Sequence, residues 1–178
     1  MDALQKLEHK LDGFFNKKVP FKLPQAARKS LADALWILAL VFGILQLWTA
    51  WDMWHIGHYV DSVLSGYALP GPDLGFTYYL SVIVLVISAV VVLVAAPALK
   101  EHKKAGGWDL LFLGLLLNAV HGLIRIFSNV NGGFGEMLWA LLVSAVGAYF
   151  LFQVRDNFMV SKTTSHHADT HKGSTGSD

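Results

Sequence analysis

Cysteine is missing from the 178-residue chain altogether, which excludes a disulfide framework, a thiolate metal site and a cysteine nucleophile. Charge is scarce too. Asp, Glu, Lys and Arg supply 15% of residues, against about 25% in soluble domains, and nearly cancel to a formal net charge of +1. So small an imbalance excludes a basic arm for nucleic acid. Of the prolines, Pro97 alone falls inside a long apolar run, near its end. A matched pair of broken helices, the usual mark of an inverted-repeat transporter, is therefore not there. No acid pair, Ser–His–Asp set or phosphate loop is placed to support an enzyme, since Gly132, Gly133 and Gly135 belong to a tight turn. What the chain holds in excess is apolar surface. Hydrophobic residues make up 54% of it and the mean hydropathy is +0.46, far from a disordered or collagen-like composition.

A hydrocarbon core about 30 Å thick takes roughly 20 residues of helix at ~1.5 Å each. Four stretches meet that length: about 31–51, 76–99, 108–127 and 134–154. Their lack of period-2 alternation excludes barrel strands, so the fold expected is an all-α membrane protein, a four-transmembrane-helix bundle. Lys6, Lys10, Lys17, Lys18, Lys22, Arg28 and Lys29 precede the first span, and Lys100, Lys103 and Lys104 fill the second connection. The first connection has no Lys or Arg, and the tail carries Arg155, Lys162 and Lys172. That alternation places both termini in the cytoplasm, with Trp48, Trp51, Trp54, Tyr59, Tyr78 and Tyr79 at the outer interface and Trp108 at the inner one. The polar 30-residue lead-in is not that of a cleaved secretory signal.

Leu4, Leu7, Leu11 and Phe14 repeat at helical spacing in residues 1–18, with lysines between them. They predict an amphipathic interfacial helix on an anionic leaflet, or a short seam to a partner helix. Pro20 and Pro24 end it, and Ser30 with Asp33 has the pattern of a cap for span one. Residues 52–66 either extend span one or fold over at Gly57, LPGPDLG forms a turn, and Pro97 ends span two. Residues 1–29 thus form a helix and linker, 30–158 the membrane domain, and 159–178 a disordered tail whose three histidines are not fixed in space.

Charges inside a span are costly, so their positions matter. Asp33, Asp109 and Glu136 fall in first turns, where the helix dipole favours an acid. Arg125 lies about 25 Å above Trp108 at ~1.5 Å per residue, where it can pair with Glu136 across the short hairpin or with Asp52. Gln46, Asn118 and His121 remain as a polar network within the bundle. By the same ~1.5 Å rise, Asn118 stands about 15 Å and His121 about 20 Å above Trp108, while Gln46 stands about 22 Å above Leu31, level with His121. Gly114, Asn118, His121, Gly122 and Arg125 share one face of span three, and Ala140, Ser144 and Ala148 one face of span four. Small residues with polar glue are how membrane helices associate.

Three sharper readings attach to these residues. His55 and His58 near Asp52, with His121 approaching from span three, are candidate ligands for a haem or metal, though i and i+3 lie about 300° apart around a helix. Gln46, Asn118, His121 and Arg125 could line a transport path, completed in a homo-oligomer. A membrane enzyme has the least behind it. Two stretches, LKEHKKAGGWDLLF at 99–112 and AYFLFQVRDNF at 148–158, joined to the basic amphipathic N-terminus, resemble small uncharacterised four-span membrane proteins of bacteria. That resemblance implies the topology and an inner-membrane location but transfers no functional residue. The chain lacks the cysteines of four-span quinone-reductase types and the span-one glutamate of small multidrug exporters. The role expected is non-enzymatic: a structural, scaffolding or accessory component that needs no cofactor. It would oligomerise or bind another membrane protein through its small-residue faces or its Trp-rich outer segment. The alternatives are a small-solute or ion transporter and a haem- or metal-binding protein.

Overall fold

The computed structural model describes residues 3–17, 22–67, 75–102, 104–126 and 134–159; the polar tail and two of the connections lie outside them. The described residues form five α-helices and no strand. These are α1 (Ala3–Lys17), α2 (Gln25–Gly66), α3 (Gly75–Lys100), α4 (Asp109–Ile126) and α5 (Phe134–Met159), with a π-helical turn at Lys104–Trp108. α2 to α5 are each long and apolar enough to cross a membrane. The protein is an all-α membrane bundle.

α2 is longer than its apolar run. Pro24 precedes it, where a fixed φ suits the first turn and the Pro24 carbonyl accepts the Arg28 N–H at 3.0 Å. Ser30 and Asp33 therefore do not cap a span; they lie inside the helix, and the Asp33 carboxylate instead meets His102 Nε2 at 3.1 Å on the α3–α4 turn. At the other end the helix does not fold over at Gly57. The Tyr78 hydroxyl donates to the Met53 carbonyl, and Met53 and Val60 join an apolar cluster with Tyr78, Val82 and Leu85. Contact with α3 thus carries the helix on to Gly66. Its 42 residues span about 63 Å at ~1.5 Å each, twice the hydrocarbon core.

Pro97 does not end α3 either. The helix runs three residues further, because the proline forfeits only its own N–H while its carbonyl still accepts from Glu101 N at 3.3 Å. The turn that follows is made by His102 at φ 53° and Gly106 at φ 79°, and Asp109 opens α4 in its first turn.

The four spans alternate in direction and pack in sequence order, α2 on α3, α3 on α4, α4 on α5. α2 and α5 meet only sparsely. Their junction lies at the end bearing the lysines, where Asn157 Nδ2 donates to the Arg28 carbonyl at 3.5 Å and Ala32, Leu35 and Ala39 share a core with Ala148, Leu151 and Phe152. Lys6, Lys10, Arg28, Lys29, Lys100 and Arg155 all belong to this end, and among the described residues Arg125 is the only lysine or arginine at the other.

α1 docks there, and it turns a different face from the one its leucines predict. Glu8, Leu11, Asp12 and Phe15 face α5, while Leu7 and Phe14 stay exposed and the Leu4 side chain lies outside the described residues. Arg155 explains the rotation. Its guanidinium donates to Glu8 Oε1 at 2.6 Å and meets Asp12 Oδ2 at 3.1 Å, so the two acids at i and i+4 turn inward. Phe15 then stacks on Phe152 at 5.5 Å, and Arg155 lies over the Trp108 ring at 5.7 Å.

Candidate functional site

Small residues set the helix register that builds the site. A Cβ placed on Gly43 would meet Leu93 Cγ at 2.6 Å, one on Gly114 would run into Val92 Cγ2, and one on Gly122 would meet Ala140 Cβ at 2.6 Å. Ser88 Oγ adds a 2.9 Å bond to the Gly114 carbonyl. These approaches bring Gln46 of α2, Asn118 of α4 and Ser144 of α5 around one cleft, and Gln46 Nε2 donates to Asn118 Oδ1 at 3.2 Å. Asn118 is ten residues beyond Trp108, so about 15 Å deep at ~1.5 Å per residue, half of a 30 Å core.

The cleft has a volume of about 500 Å³ and opens between α2 and α5, where those helices part. Its walls are apolar, with Leu35, Phe42, Leu115, Val146 and Phe150 among them. Among the described residues no charged side chain lines it. Two oxygens beside it, Gln46 Oε1 and Ser144 Oγ, are buried without a hydrogen-bond partner. Chemically this is a greasy slot with amide and hydroxyl groups at one end and no titratable group.

The expected network of Gln46, Asn118 and His121 is divided. His121 is 9% exposed and its Nδ1 bonds the Ser81 carbonyl of α3 at 2.9 Å, away from Gln46. It lines a second cavity of about 270 Å³ with Gly122, Arg125, Trp139 and Ala140. Gln46 is level with Asn118 and not with His121, because the Gly43–Leu93 contact fixes how far α2 has risen.

The other candidates scatter. Asp52 is exposed and forms no ion pair with Arg125, and the Glu136 side chain, the other proposed partner, lies outside the described residues. His55 donates through Nδ1 to the Trp51 carbonyl at 3.2 Å, and the exposed His58 ring stands 5.2 Å from Trp54. His55 is nine residues above Gln46 and His121 three above Asn118, an axial offset of about 9 Å at ~1.5 Å per residue. The three histidines do not converge, and among the described residues no group of three His, Asp or Glu could hold a metal ion. The tail histidines fall outside those residues. Ala140 meets Gly122, and Ser144 and Ala148 are buried, so all the small residues of spans three and four named above sit at helix contacts.

Sequence reasoning missed Gly43, Gly147, Ser81 and Ser88, and the Glu8–Arg155–Asp12 group. The heptad spacing of the two serines and the i, i+4 spacing of the two acids were available as signals. Gln153, 2% exposed with neither amide atom bonded, gave none. No protein-family model matches the chain, and no curated protein or solved structure matches it either.

Proposed function

We propose that this is a non-enzymatic, multi-pass membrane protein serving as an accessory subunit, and that it binds another membrane protein or a second copy of itself through the far end of α2. The observation that carries this reading is the length of that helix. About 30 Å of it, from Leu31 to Trp51, suffices for the bilayer at ~1.5 Å per residue. The continuation to Gly66 holds Trp54, Ile56 and Tyr59 exposed at 43%, 58% and 70%. A rigid arm with large apolar groups beyond the hydrocarbon depth is the kind of surface that marks an interaction site.

We further propose a bacterial inner membrane with both termini in the cytoplasm. Support comes from the gathering of lysines and arginines at one end of four alternating helices, in keeping with the positive-inside rule. A solute path has less support, since Gln46 and Asn118 face one cleft while His121 and Arg125 face another.

A photo-crosslinking residue at Tyr59, compared with one at lipid-facing Val90, tests the reading in the native membrane. The expected result is one band of defined added mass from position 59 and none from position 90. Crosslinks to lipid alone at both positions would overturn it.

A further inference from the structure

We infer that the cleft between α2 and α5 is a binding site for a neutral amphiphile: a long apolar chain bearing one compact, uncharged carbonyl or hydroxyl head. The chain end of this description follows from the walls. From Leu31 to Gln46 the cleft follows α2 for fifteen residues, about 22 Å at ~1.5 Å each, and its apolar lining and volume of about 500 Å³ are those of a small-molecule site.

The head follows from the polar atoms. Gln46 donates to Asn118, which leaves Gln46 Oε1 without a donor, and Asn118 makes no other hydrogen bond among the described residues. Ser144, 8% exposed, lines the same cleft with its hydroxyl unbonded. In hydrocarbon such groups are costly until something meets them. A ligand carbonyl would accept from the Asn118 amide, and a turn of the Ser144 or Gln46 side chain toward the cleft would let the Ser144 hydroxyl donate to that carbonyl or Gln46 Oε1 accept from a ligand hydroxyl.

Charge on the head is excluded by what surrounds it. Among the described residues no Asp, Glu, Lys, Arg or His lines the cleft, and a bare charge halfway through the bilayer has no described partner there to offset its desolvation. A phospholipid could lend an acyl chain to the walls, but its headgroup would remain at the interface, about 15 Å from Asn118 by the ~1.5 Å rise per residue. The polar atoms therefore select lipids whose heads sink to mid-membrane. Isoprenoid quinones, with ring carbonyls, and isoprenols, with a terminal hydroxyl, share that chemistry.

Native mass spectrometry of the whole chain in phosphatidylcholine nanodiscs tests this, with decylubiquinone and farnesol as the neutral probes and palmitate and phosphatidylglycerol as charged-head comparators. One neutral probe per chain is expected, and the better retained of the two names the source, carbonyl or hydroxyl. Asn118→Leu and Val146→Trp should each weaken its binding by about tenfold, the scale of one lost hydrogen bond or a filled slot. Should Asn118→Leu fail to assemble, Val146→Trp decides alone, since it fills the cleft from a lipid-exposed position and removes no polar group. No retention of either neutral probe, equal retention of palmitate or phosphatidylglycerol, or binding unmoved by Val146→Trp would overturn the inference.

Discussion

Arg155 gathers two kinds of contact on a side chain that is 14% exposed: two carboxylates and an indole face. Arg155→Ala would remove the guanidinium from Glu8, itself 7% exposed, and breaking such a buried pair costs about 3–5 kcal/mol. We expect a lower unfolding temperature and early tryptic cleavage after Lys10, because α1 comes off α5. Arg155→Lys should lose part of this, since a point charge cannot serve two acids in a fork. The types of the polar residues were legible in the sequence; their partners were not. Asn118 and His121 stand three apart on α4, and the helical period allows both to face one neighbour. Which neighbour each meets depends on α2 and α3, whose relative height is fixed by Gly43 against Leu93, a contact that no local pattern announces.

Helix by helix, glycines separate into those under contact and those in open space. Gly122→Ala would drive a Cβ to within 2.6 Å of the Ala140 Cβ, which has no rotamer to yield with, so α4 and α5 must part. The expected loss is about 1–3 kcal/mol. Gly13 in α1 has nothing within 4 Å of an added Cβ, and Gly13→Ala should stabilise by up to about 1 kcal/mol through helix propensity. Thermal unfolding of the two variants in one detergent checks both signs. Hydropathy located the four spans well because lipid demands it. It could not locate the ends of α2, because hydropathy reports where hydrocarbon stops, whereas the helix continues on Tyr78 and Met53 at one end and begins at Pro24 at the other.

For the whole molecule, alternation of the spans makes a sidedness prediction. Cysteines introduced at Tyr59 and at Glu101 should label from opposite faces of the membrane with an impermeant maleimide, the cytoplasmic face being that of Glu101. Labelling of both from one face would refute the alternating arrangement. The same alternation places α1 against α5, elements that chain order keeps far apart. Glu8 is translated 147 residues ahead of Arg155, an interval of roughly 7–30 seconds at ~5–20 residues per second. Throughout that interval the two acids lack the guanidinium that later joins them. The clasp can close only once the cation has been synthesised, so a message cut short upstream of codon 155 yields a product with a loose, protease-sensitive leading segment, and cellular quality control has a ready means of telling unfinished chains from finished ones.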